Sequence, residues 1–177
     1  MIAVDLGLLL LRLLIGALMA AHGAQKLFGW FSGHGLTGTA DFLESLGWRP
    51  GRTFALVLGA AELVGALALA LGAGTPVAAG VLIAVLANAA WVVHRPNGLW
   101  NTAGGYEYPL VLAGAALTLA LTGPGRFSID HLAGWQLPTL AGAVLAIGVG
   151  VTGWLVGDTT RDAASLGLFD RWIRPST

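Results

Sequence analysis

The stretch LGLLLLRLLIGALMAAHGAQKL, residues 6–27, decides the fold. At ~1.5 Å of rise per residue, a helix of about 22 residues covers the roughly 30 Å of hydrocarbon in a bilayer. The stretch does not alternate as a strand of a membrane barrel would. A removable secretory leader is the competing reading, because the small residues from Ala17 to Ala21 imitate a cleavage site. Against it stand the acidic Asp5, the missing basic leader and Arg12 in the middle of the apolar run.

Working outward, four more apolar stretches follow: Thr53 to Leu71, Pro76 to Val93, Tyr108 to Leu121, and Leu137 to Val156. The fourth is short for a span, so its helix is expected to start near Tyr106 and to carry Glu107 in its first turn. The reading is an all-α, polytopic transmembrane bundle of five helices. Gly72 to Thr75 leaves room only for a tight turn, which makes the second and third spans an antiparallel hairpin. Between Phe28 and Arg52, Leu36, Phe42, Leu43, Leu46 and Trp48 are spaced as on a short amphipathic helix lying on the membrane surface. The tail from Gly157, with Leu166, Leu168, Phe169, Trp172 and Ile173 among charges, has the same interfacial character.

Composition agrees. Of the 177 residues 56% are hydrophobic and only 10% charged, against about 45–50% and about 25% in soluble domains. Nine basic and nine acidic residues cancel, which removes the electrostatic footprint of a nucleic-acid binder. The chain has no cysteine, so iron–sulfur clusters, thiolate zinc and disulfide exchange are excluded, and no cofactor is intrinsic. The basic residues outside the spans put Lys26, Arg49, Arg52, Arg95, Arg161, Arg171 and Arg174 on one side. Only Arg126 and the N-terminal amine fall on the other, so the N-terminus is expected outside and the C-terminus in the cytoplasm.

Ionisable groups inside a span cost several kcal/mol unless they are paired or face a wet cavity, so each marks a candidate site. On the first helix Lys26 lies about 40° and His22 about 80° from Arg12, one inward face shared with Gly16, Met19 and Gly23. Glu62, between Gly59 and Gly65, needs a cation from that face, either Arg12 or the His22 and Lys26 group. Asn88 and Trp91, with His94 and Arg95 following, form a polar stripe on the third span. An interhelical amide bond for Asn88 and an interfacial anchor for Trp91 are the plainer alternatives. The connector RPNGLWNTAGGYEY, Arg95 to Tyr108, turns at Asn97, and its Gly104 and Gly105 allow backbone to approach the bundle mouth beside Tyr106 and Tyr108. His22 followed by Lys26 and His94 followed by Arg95, each with a returning glutamate at Glu62 or Glu107, echo one another as a duplicated hairpin would. Asp130 and His131 read as turn and surface residues. No metal-ligand spacing is present, although two histidines on one side of a bundle can in principle ligate a haem.

These residues carry a resemblance. Arg12, HGAQKLFGWFSGHGL (His22 to Leu36), GAAELVGALAL (Gly59 to Leu69), NGLWNTAGGYEYPLVL (Asn97 to Leu112), the following Gly-Pro-Gly and Asp130 resemble the DoxX family of small bacterial membrane proteins. The likeness runs from Leu6 to Leu132. It implies a four-helix core over residues 1–132, with residues 133–177 adding a further transmembrane helix and tail, in the bacterial cytoplasmic membrane. Family members are associated with membrane-bound oxidoreductase assemblies, and the related DoxD-type proteins with thiosulfate:quinone oxidoreductase. The implied partners are the lipid bilayer and a redox protein. A quinone would suit a pocket formed by Arg12, His22, Lys26, Glu62, Asn88, Trp91, His94 and Glu107, with Asn97, Gly104, Gly105, Tyr106 and Tyr108 as loop contacts. Two other readings compete: a transporter of protons or a small solute along the polar face of the first helix, and a non-catalytic scaffold that docks a soluble redox enzyme.

Overall fold

The computed structural model describes residues 2–135 and 137–161. The expected tail residues Leu166, Leu168, Phe169, Trp172 and Ile173 lie outside the described residues. The chain forms α1 (Ile2–Phe28), α2 (Gly35–Ser45), α3 (Gly51–Leu71), α4 (Thr75–Asn88), α5 (Glu107–Thr122), the single turn α6 (Ile129–Leu132) and α7 (Thr139–Thr159). After Asn88 the α4 helix widens into a π-helical stretch, Ala89–His94, and closes as a 3₁₀ turn over Arg95–Asn97. Among the described residues there is no strand; Trp48 and Arg161 form an isolated antiparallel bridge.

Among the described residues four helices are long and apolar enough to cross a membrane: Ile2–Phe28, Gly51–Leu71, Thr75–Asn97 and Leu140–Thr159. The fifth expected span, α5, is apolar but holds only 16 residues. At ~1.5 Å per residue it reaches about 24 Å, short of the hydrocarbon thickness. It does begin with Glu107 in its first turn.

Small residues set the helix spacing. A Cβ added to Gly16 would lie 2.6 Å from Ala70 Cβ, and one added to Gly23 would lie 2.7 Å from the Leu63 backbone nitrogen. Helices α1 and α3 therefore touch backbone to backbone, the approach that glycine permits in membranes. On the other side, Gly80 faces Val149 and Gly150 faces Ile83, which seats α7 on α4. Ile15, Met19, Leu69, Leu82, Leu112, Leu119 and Ala146 fill the shared interior, drawn from α1, α3, α4, α5 and α7. Helix α7 is thus packed into the core.

The apolar side of α2 is taken up by the bundle: Ala40, Leu43 and Trp48 pack with Ala55 and Val92 into a second, smaller core. Phe42 alone of the expected apolar set is exposed. Glu44 accepts the backbone N–H of Gly51 at 2.8 Å and so satisfies one orphan donor at the start of α3.

If the α1–α3 approach sets the bundle, Gly23→Ala must force those helices apart. Overpacking of this kind costs about 1–3 kcal/mol. Thermal unfolding in detergent should show a lowered midpoint for Gly23→Ala and none for Gly7→Ala, where an added Cβ meets nothing within 4 Å.

Candidate functional site

Helix α1 carries its charges to two different places. Near its C-terminal end, Lys26 Nζ donates to Glu62 Oε2 at 2.5 Å. Glu62 is 4% exposed and sits where Gly59 and Gly65 thin α3 on either side of it. One turn back on α1, His22 points the same way. Its Nε2 lies 3.3 Å from Tyr108 Oη on α5, with the rings edge to face at 5.9 Å between centroids. Its Nδ1 lies 3.1 Å from Gln25 Oε1. His22 is half-buried and Tyr108 is 37% exposed, so this pair stands on the flank of the bundle between α1 and α5, not in its centre.

Arg12 does not join that cluster. It is fully buried at the opposite end, where it donates to the carbonyls of Ala70 at 3.1 Å and of Phe127. Its acidic neighbour there is Asp130, which sequence reasoning had assigned to the surface but which is only 2% exposed. Asp130 accepts from the backbone N–H of Gly74 at 2.6 Å, from that of Thr75 at 2.8 Å and from the Thr75 hydroxyl at 2.7 Å. Its own N–H donates to Gly72 O. The carboxylate thus satisfies the orphan donors at the start of α4 and stitches α6 to the α3–α4 turn. Gly72 has a φ of +64°, and an added Cβ would sit 2.2 Å from Arg12 Nη1, so glycine is needed there on both counts. Between the two ends, Ile15 and Met19 on the inward face of α1 are each 1% exposed, and the polar groups do not run continuously.

The remaining expected pocket residues go elsewhere. Asn88 Nδ2 donates to Ala84 O at 2.9 Å and across to Gly153 O at 3.4 Å, and an added Cβ on Gly157 would meet its amide. Trp91 packs edge-on against Trp154 with the Arg95 guanidinium 4.0 Å from its ring centroid. Helix α7 covers the face of α4 that bears both residues, which is why they do not meet His22. His94 Nδ1 and Asn97 Nδ2 donate to Gly104 O at 2.8 and 3.3 Å. Glu107 accepts the Asn101 N–H at 2.9 Å. Gly105 is buried against Gly98 and Leu99, and Tyr106 N–H donates to Gly98 O. The connector therefore folds onto itself, and the suspected hairpin echo ends at the ion pair: Glu62 has Lys26, whereas Glu107 holds backbone and Arg95 lies on Trp91. A cavity of about 330 Å³ opens at the Arg12 end, lined in part by Asp5, Arg126, Asp130, His131 and Trp135, and by none of the residues expected to form the pocket. Among the described residues no cluster of three metal-ligating side chains occurs.

The His22, Lys26 and Glu62 positions all fall within residues 7–95, the part of the chain that the DoxX family model matches. The chain belongs to the DoxX family. It is 30% identical over 128 residues to the "Inner membrane protein YqjF" of Escherichia coli (strain K12), covering 72% of this chain and 92% of that one. It is also 29% identical over 126 residues to the "Putative oxidoreductase CatD" of Bacillus subtilis (strain 168), covering 71% of this chain and 86% of that one. No solved structure matches it significantly. With its apolar helices, this DoxX protein is a multi-pass membrane protein. Tyr108 and Asp130 lie beyond the matched segment, and Gln25 lies within it.

Removing one partner of a buried ion pair costs about 3–5 kcal/mol, less here because the Lys26 side chain keeps 27% exposure. Lys26→Met and Glu62→Gln should each destabilise the protein in detergent, and the double variant should be less destabilised than the sum. Additive losses in a double-mutant cycle would show that the pair is not coupled.

Proposed function

We propose that this DoxX protein is a subunit of an oxidoreductase system in the bacterial cytoplasmic membrane and that a quinone headgroup docks at His22 and Tyr108. The observation that carries the reading is the imidazole–phenol pair, half exposed on the bundle flank one helical turn from the buried Lys26–Glu62 pair. A lipid-borne ring arriving sideways between α1 and α5 would meet a hydrogen-bonding pair matched to ring oxygens. A quinone, when bound, supplies two-electron, two-proton chemistry that no cysteine-bound centre of this chain can offer. Electrons then come from, or go to, a partner protein. The His22 imidazole can both donate and accept hydrogen bonds, and Glu62, held by Lys26, places a carboxylate behind it. The relative named as an oxidoreductase supports the same class of chemistry. The buried apolar residues Ile15 and Met19, which interrupt the polar face of α1, weigh against a transport path along it.

The positive-inside balance supports an outside N-terminus, which puts the His22 end at the cytoplasmic face. Because the chain lacks cysteine, single-cysteine variants report sidedness without background. An impermeant maleimide added to spheroplasts should label Pro124→Cys and spare Ser32→Cys, and the reverse pattern would invert the topology. Purified protein in nanodiscs should retain a quinol analogue, with affinity falling about tenfold in His22→Ala and Tyr108→Phe if each removes one hydrogen bond to the headgroup. Absence of binding to the unaltered protein would defeat the quinone reading.

A further inference from the structure

Which nitrogen of His22 faces the flank as a base is decided by Gln25. Its carboxamide lies between the imidazole and the loop that follows α1. Gln25 Nε2 donates to Phe31 O at 3.2 Å, while Oε1 lies 3.1 Å from His22 Nδ1. A backbone carbonyl can only accept, so the amide edge facing Phe31 must be the NH₂. The edge facing His22 is then the carbonyl oxygen, which also only accepts, and Nδ1 must carry the ring proton. In the neutral imidazole this leaves Nε2 bare. That is the nitrogen 3.3 Å from Tyr108 Oη, so the phenol donates to it.

The far end of this chain of bonds is held in place. Phe31 and Ser32 both have positive φ, 51° and 61°, a conformation that bulky residues keep only when their surroundings impose it. Gly33 N–H donates to Trp30 O at 2.9 Å. Gly33 lies flush on α1, since an added Cβ would be 2.5 Å from Gln25 O. The Phe31 carbonyl therefore cannot swing away, and the amide cannot turn over without setting two oxygens against each other.

We propose that Gln25 is a positioning residue that holds His22 as its Nδ1–H tautomer, so that Nε2 receives the ligand through a donated hydroxyl. The site then takes the reduced, hydroquinone form in preference to the oxidised quinone, because a ring hydroxyl replaces the Tyr108 hydroxyl at Nε2 whereas a ring carbonyl brings lone pair against lone pair. The ligand preference rests on the quinone reading above; the tautomer does not.

Both halves are tested on the full chain in nanodiscs. With ¹⁵N-labelled histidine at alkaline pH, long-range ¹H–¹⁵N correlation distinguishes protonated from bare ring nitrogens, and His22→Asn identifies the His22 signals by their loss. The expected result is a protonated Nδ1 and bare Nε2 in the unaltered protein. Gln25→Leu, which offers Nδ1 no acceptor, should lose that pattern. A protonated Nε2 in the unaltered protein, or a pattern unchanged by Gln25→Leu, overturns the positioning role. Anaerobic titration with decylubiquinol and decylubiquinone should favour the quinol by about tenfold, the worth of one hydrogen bond, and Gln25→Leu should abolish the preference. Equal binding of the two forms overturns the ligand preference. If neither binds while the tautomer is as expected, the quinone reading fails together with the preference, and the role of Gln25 stands.

Discussion

A carboxylate in the middle of an apolar helix has to be answered by a cation at the depth where it sits, and the contact between Glu62 and Lys26 is that answer. The pair forms only because α1 and α3 approach at glycine distance, and the same approach carries His22, one turn away on the same face, toward α5. Helix spacing, charge placement and the flank cluster are consequences of one another. Replacing the ion pair by apolar groups of similar volume would often be tolerated energetically, so its presence fits a role beyond holding helices together.

The two ends of the bundle use buried polarity differently. At the Arg12 end the strong groups are turned mainly on backbone: the guanidinium on the carbonyls of Ala70 and Phe127, and the Asp130 carboxylate on the amides of Gly74 and Thr75, with the Thr75 hydroxyl beside them. Such bonds fix loops and helix ends and are consumed by doing so. At the His22 end side chain meets side chain, and part of the surface remains open at Tyr108. Side-chain pairs exchange partners more readily than backbone caps, which is the physical ground for placing a ligand at one end and a fastening at the other.

The apolar stretches and their order were legible because hydrocarbon thickness imposes a length that few other constraints produce. The shared face of His22 and Lys26 was legible from helical angle alone, and Glu62 from the charge rule inside membranes. Arg12 was misplaced into the same pocket: angular position says which way a residue points, but its partners, Phe127 and Asp130, come from a loop far away in sequence. Asp130 looked like turn chemistry because nothing local distinguishes a carboxylate that caps a neighbouring helix. Asn88 and Trp91 were read as an inward stripe, but inward has meaning only once it is known which helix covers them, and that helix is α7. Gln25 drew no attention because an amide on a helix is ordinary until a fixed carbonyl such as that of Phe31 gives it polarity.

Helix α7 is fastened at its far end by the corner between α2 and α3. Trp48 Nε1 donates to Gly157 O at 2.7 Å, Arg161 Nε donates to Leu46 O at 3.1 Å, and the Arg161 guanidinium lies 5.2 Å from the Trp48 ring centroid. Chains are made from the N-terminus onward, so during biosynthesis this corner waits without its partner, and the Asn88 amide has only its bond to Ala84 O, until α7 leaves the ribosome. Arrival of that span closes the structure much as a keystone closes an arch, and a nascent chain stopped before it would present an unfinished groove to the insertion and quality-control machinery.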